Sequence, residues 1–350
     1  MNHLLYMIYV NLIIIFLFII FIHELGHYTV ARIFKTTVTD FSIGFGKVLF
    51  QFKDKYLTTW KISLIPLGGY VKIKGLESIF KNSVNIDQDL DSFHNLNLFK
   101  KISVLIAGST FNIISAWLCL FFIFFFFGIV NFSSVIGGIV KDSPAELNRI
   151  QEGDIVVRIN DKNIEYFSDI AFAINNSQKI KIDIVRDNKL ITKEFHLSYN
   201  QETGKYFIGI QSTNTPEIKK YSLFDSFKQS TFFIPTYYLE SFKYLTRSYK
   251  NNTLSQEIAG PIGIVKMADK LMLDKIKGVL FIFISISLFV GLFNLFPIPL
   301  LDGGHIIYFI IRSIFSDALP SFITRVYLLT GITIISFLFI IITFNDIFYK

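Results

Sequence analysis

Phe21-Ile22-His23-Glu24-Leu25-Gly26-His27 closes an apolar run that begins near Leu4. The stretch reads His-Glu-x-x-His. On a helix, positions i and i+4 share a face about one turn apart. His23 and His27 can therefore offer two imidazole nitrogens to one Zn²⁺. Glu24 falls on the adjoining face, where a carboxylate can take a proton from water at the metal. The run, about residues 5–27, is long enough to cross roughly 30 Å of hydrocarbon. Ionisable residues inside a span are costly and are functional candidates by default. The bland alternative is a pair of satisfied polar residues in a helix bundle.

The whole chain suits such a solvent. Its 350 residues are 52% hydrophobic and 17% aromatic, with a mean hydropathy of +0.49, values of a polytopic membrane protein. Forty Phe beside abundant Ile, Lys and Asn suggest drift toward AT-rich codons, so the net charge of +7 carries little weight as a nucleic-acid signal. No basic patch interleaved with aromatics is present, and a nucleic-acid partner is not expected. Cys119 is the single cysteine, which excludes a disulfide framework and a thiolate metal site. The N-terminus has no Lys/Arg n-region and no A-x-A cleavage site, and is read as a retained span.

Outward from the motif, the polar region of about 28–101 has turn punctuation at Ser42-Ile43-Gly44-Phe45-Gly46 and at Ile65-Pro66-Leu67-Gly68-Gly69-Tyr70. The flanks Tyr56–Ile65 and Tyr70–Lys74 alternate well enough to predict a β-hairpin. Such a sheet at the membrane surface could take an unwound peptide as an added strand. A second span is predicted at about 102–130. Gly108, Ser109 and Asn112 on it are small or polar, suited to close packing or hydrogen bonding with a neighbouring helix.

Residues 131–215 are too polar to span and read as a small α+β module. Its predicted strands are Val135–Val140, Ile155–Ile159, the alternation Ile180, Ile182, Ile184, and Leu190–Leu197. Helices are expected at Pro144–Ile150 and near Ser168–Asn175, with turns at Gly153-Asp154, at Asp161–Asn163 and at Asp187-Asn188. Residues 216–276 form a connector with an amphipathic helix over 221–250, kinked or interrupted by Pro235, and a break at Ala259–Gly263. The last part, 277–350, holds a third span at about 278–301 and a fourth at about 326–344. The third ends in Asn294-Leu295-Phe296-Pro297-Ile298-Pro299-Leu300-Leu301-Asp302-Gly303-Gly304-His305, where prolines and glycines unwind a helix end.

Eleven Lys/Arg against six Asp/Glu in 28–101, with none in residues 1–10, predict a cytoplasmic location for 28–101 and the opposite side for the module. In that topology span three delivers Asp302 to the depth of His23 and His27, whereas Asp346 returns to the wrong side. Catalytic zinc uses three protein ligands plus water, and Asp302 is the expected third. His305 is read as a neighbour of the site.

The stretches His23–His27, Phe41–Gly46, Ile65–Lys72, Asn294–Gly304 and Asn345-Asp346, in this order, resemble the site-2 protease family of intramembrane zinc metalloproteases. The likeness is to the branch of the bacterial regulator of sigma-E protease. It implies that His23, His27 and Asp302 bind Zn²⁺ and that Glu24 is the catalytic carboxylate. Asn294, Gly68 and Gly69 become substrate-binding candidates. The implied fold is a polytopic α-helical membrane protein of about four transmembrane helices. A membrane-associated β-hairpin region lies in the 1–130 half, and one PDZ-like domain is inserted at 131–215. Partners would be the lipid bilayer and single-pass membrane proteins such as anti-sigma factors or remnant signal peptides. The location would be the cell inner membrane, with the active site near the cytoplasm and the PDZ-like domain periplasmic. The chain departs from the family in having room for about one PDZ domain rather than two. It also has Gly108-Ser109-Thr110-Phe111-Asn112 in place of Gly-Pro-x-x-Asn, which predicts a straighter helix. The rivals are a proteolytically inactive membrane scaffold or substrate-binding adaptor, and a metal transporter. Oligomeric state is not legible.

Overall fold

A computed structural model describes residues 2–76, 91–174, 177–200, 205–213, 216–250, 275–315 and 320–348. The predicted break at Ala259–Gly263 lies outside them. Among the described residues, four stretches are helices long and apolar enough to cross a membrane: Val10–Ile33, Leu98–Phe127, Ile276–Phe293 and Phe322–Ile347. The chain divides into two compact units, residues 1–121 with 228–350, and residues 122–227.

In the first unit, helix α1 (Asn2–Ile33) ends where Lys35 turns to φ +60° and Thr36 N–H donates to Ala31 O at 2.9 Å. This is a left-handed stop that satisfies the last carbonyls. Two long strands follow, β1 (Val38–Lys53) and β2 (Thr59–Ile73). Helix α2 (Leu98–Phe122) is capped by Asn97, whose side-chain oxygen accepts from Lys100 N–H at 2.9 Å. It runs unbroken through Ser109, in keeping with the missing proline, and is followed by a π-helical turn at Ile123–Phe127.

The predicted hairpin is built differently from expectation. The predicted flanks Tyr56–Ile65 and Tyr70–Lys74 are not paired with each other in the β1–β2 register; residues 40–43 of β1 pair with 59–62 of the first and with 69–72 at the second, and 50–53 pairs with 59–62. The real turn is at 54–58, where Asp54 accepts from the backbone N–H of Tyr56 and of Thr58. The glycines at 44 and 46 lie inside β1 at φ +86° and +82°, and they bend the strand where its register shifts. Phe45, Leu49, Phe50, Phe52, Leu64 and Ile65 stay exposed on this sheet, an apolar surface suited to lipid contact.

The second unit starts at β3 (Ile129–Phe132) and β4 (Ile136–Ile139). A one-turn helix, α3 (Pro144–Leu147), follows, capped by Ser143. Strands β5 (Ile155–Ile159), β6 (Lys162–Asn163), β7 (Lys179–Arg186) and β8 (Lys189–His196) form a sheet in the order β6-β5-β7-β8. Helix α4 (Phe167–Ile174) packs on it. The alternation read in the sequence buries Ile180, Ile182 and Ile184 with Val156, Ile159 and Ile170. Asp187 and Asn188 both take positive φ, giving the two-residue hairpin expected there. Short strands β9 (Ser198–Asn200), β10 (Lys205–Phe207), β11 (Ile210–Ser212) and β12 (Pro216–Lys219) complete the unit, β11 pairing with β4 and β12 with β3.

Helix α5 (Leu223–Lys250) starts at Ser222, whose hydroxyl accepts from Asp225 N–H and donates to its carboxylate. It continues past Pro235 instead of breaking. Helix α6 (Lys275–Phe293) stops eight residues short of the expected end at 301, before the residues ahead of Pro297 that proline biases away from helix. Asp302 then opens a helix that the sequence reading missed, α7 (Asp302–Ile314). Gly303 and Gly304 looked like breakers, but they serve close packing. A Cβ on Gly303 would lie 2.1 Å from Leu295 O, and one on Gly304 2.1 Å from Ile298 O. Helix α8 (Ser321–Phe348) is the fourth span.

Candidate metal centre

Four helices, α1, α2, α6 and α7, bring His23, His27 and Asp302 together. Gly26 lets α1 approach α2 so closely that a Cβ would meet Ala107 O at 2.4 Å, and Gly291 does the same for α6 against α2. The connection 294–301 folds back on α7, where Gly303 N–H donates to Asn294 O at 2.7 Å. Leu300 at φ +76° turns the chain into α7, and Asp302 sits in its first turn, where the helix dipole favours a carboxylate.

His23 Nε2 and His27 Nε2 lie 3.2 Å apart. Asp302 Oδ2 lies 3.3 Å from His23 Nε2, and Oδ1 3.5 Å from His27 Nε2. These spacings match the roughly 3.3 Å edge of a tetrahedron around zinc with bonds of about 2.0–2.1 Å. Two further observations fit a cation. Asp302 Oδ2 is buried without a hydrogen-bond partner among the described residues. A Cβ on Gly108 would fall 2.4 Å from His27 Nε2 and 2.8 Å from His23 Nε2, so a glycine keeps open the space between the rings. His27 Nδ1 donates to Val104 O at 2.8 Å, which leaves its Nε2 free to ligate. The donor set of two nitrogens and one carboxylate is one that zinc accepts.

A cavity of about 450 Å³ opens onto these three residues. Glu24 lines it, as do Asn294, Gly68, Gly69 and His305. Asn294 Nδ2 is 3.4 Å from His23 Nε2, and a Cβ on Gly69 would meet Glu24 Cγ at 3.1 Å. All seven residues singled out from the sequence thus border one space. Asp346 is buried near the end of α8 and is not among the residues grouped around the histidines. The sequence reading assigned no site role to Val104, Gly108 or Asn112. The signal available was a small residue four positions before an Asn in an otherwise apolar span.

Residues 11–338 match the sequence profile of peptidase family M50. The chain belongs to that family and is a metalloprotease of it. It is 33% identical over 340 residues to a protein of Campylobacter jejuni (94% of this chain, 90% of the other). A protein of Helicobacter pylori strain J99 is 33% identical over 349 residues (94% and 96%), and one of Rickettsia conorii 31% over 343 (94% and 95%). Each carries the provisional name of zinc metalloprotease. Among solved structures, the PDZ domain of an SdrC-like protein from Listeria monocytogenes is similar at 21% identity. That match covers 25% of this chain and 94% of the other, with a TM-score of 0.21.

Proposed function

We propose that the protein is an intramembrane zinc metalloprotease that hydrolyses peptide bonds in or near the membrane-spanning segment of single-pass proteins. The observation that carries this reading is the meeting of His23, His27 and Asp302 around one gap, next to Glu24, in helices of membrane-spanning length. These three side chains would hold the ion. When bound, zinc supplies Lewis acidity toward water and toward a peptide carbonyl. Glu24 accepts the proton of the attacking water and returns it to the leaving amine. Asn294 and the Gly68-Gly69 backbone line the cavity from opposite elements and would hold the substrate. A helical substrate must unwind to expose its peptide bonds, and β2 offers a strand against which an extended segment can pair.

The resemblance supports anti-sigma factors or remnant signal peptides as the substrate class. The charge asymmetry supports an inner-membrane orientation with the metal centre near the cytoplasm and the inserted PDZ-like unit in the periplasm. The test is Glu24→Gln with a single-span reporter peptide. The variant is expected to keep its zinc and lose cleavage by at least about 100-fold, the scale of a general base. Undiminished cleavage refutes the mechanism, and zinc binding without cleavage by the wild-type chain favours a scaffold.

A further inference from the structure

We propose that Asn112 is a positioning residue for His23, holding its ring in the tautomer that leaves Nε2 free for the metal; this rests on the metal reading above. Asn112 is fully buried in α2, and its amide lies 3.4 Å from His23 Nδ1. The other ring nitrogen, Nε2, is the one that faces His27 and Asp302. An imidazole that gives its Nε2 lone pair to a cation carries its proton on Nδ1. That N–H, in a dry helix interface, needs an acceptor. Asn112 Oδ1 is a buried oxygen without a hydrogen-bond partner among the described residues. A half-turn of the amide exchanges its nitrogen for this oxygen, and a single bond then satisfies both the ring donor and the orphaned acceptor.

Helix α2 is laid out to do this for both rings. Val104 O accepts from His27 Nδ1, Gly108 leaves the gap between the rings, and Asn112 faces His23. The three positions are four residues apart, one helical face read turn by turn. The Asn112 backbone is itself fixed, since its carbonyl accepts from Ser287 Oγ at 3.0 Å and from Ser115 Oγ at 2.8 Å. Val104 acts through its backbone and cannot be deleted by substitution; Asn112 acts through its side chain and can.

The full chain in detergent, stripped with a chelator, is titrated with Zn²⁺ against a chromophoric competitor, wild type beside Asn112→Leu and Asn112→Asp. Leucine keeps the volume and removes the acceptor, whereas aspartate keeps the acceptor. Removing the partner of a metal-binding histidine costs about 10–100-fold in affinity, so Asn112→Leu is expected to weaken zinc by that factor and Asn112→Asp to stay within a few-fold. Unchanged affinity in Asn112→Leu overturns the proposal. So does a loss of about tenfold or more in Asn112→Asp, and that variant decides alone if the leucine variant does not fold. A wild-type chain that takes up no Zn²⁺ overturns the metal reading as well, which separates the two failures.

Discussion

Asp302 Oδ2 lies 3.3 Å from His23 Nε2, joining the first turn of α7 to the His23–His27 turn of α1. The contact depends on the connection 294–301 lying flat against α7, which only glycine permits at 303 and 304.

Gly303→Ala drives a Cβ to 2.1 Å from Leu295 O. Backbone must shift, at a cost of about 1–3 kcal/mol, and the Asp302 carboxylate moves with it. Zinc affinity in a competition titration is expected to fall by at least about tenfold, as for loss of a neighbouring supporting contact. Unaltered affinity would show that the close packing at 303 does not set the position of Asp302.

Gly108→Ala separates the metal from the fold. Alanine in a helix interior is favoured over glycine by roughly 0.5–1 kcal/mol. The added Cβ, however, would occupy the space between the imidazoles, 2.4 Å from His27 Nε2. Because the two buried rings must shift to admit it, the stripped protein is expected to melt at or below wild type, losing about 1–3 kcal/mol at most, while zinc binding falls by about tenfold or more. Full zinc binding with a raised melting point would mean that the gap beside Gly108 is not the metal site.

Acid should loosen the inserted unit. Asp183 on β7 is buried and accepts from Thr192 Oγ1 at 2.6 Å and from Arg158 Nε at 2.8 Å. Those two bonds hold its carboxyl below the usual range, against the upward push of burial. A carboxyl lowered on folding stabilises above its unfolded value of about 3.9 and loses that contribution as pH falls through the folded value. Hydrogen exchange of the β7 and β8 amides is expected to be steady from neutrality to about pH 5, after allowance for intrinsic rates, and to show loss of protection below about pH 4. Asp183→Asn should flatten this dependence and cost about 1–3 kcal/mol at pH 7. The same pH slope in both proteins would contradict the assignment.

Much of this was legible in the chain because it follows from short-range chemistry. The i, i+4 histidines, the four apolar runs and the alternation at 180–184 each state their structure within one element. What escaped depends on elements distant in sequence. Pro297, Pro299 and Gly303-Gly304 read as the unwinding of one helix, when they shape a fold-back that starts another at Asp302. The glycines at 44 and 46 read as a turn, because their use as bends inside a strand appears only once 40–43 lies between two partners. Asn112 read as a polar residue for helix packing, and the ring it faces could not be named without the crossing of α1 and α2.

The central claim is that two nitrogens of α1 and one carboxylate of α7 hold a single zinc ion. Elemental analysis of the purified full-length chain, wild type beside Asp302→Ala, tests it most directly. The expected result is about one zinc per chain in the wild type and almost none in the variant, in keeping with a three-ligand catalytic site. Equal zinc in the two proteins, or none in the wild type, would contradict the account.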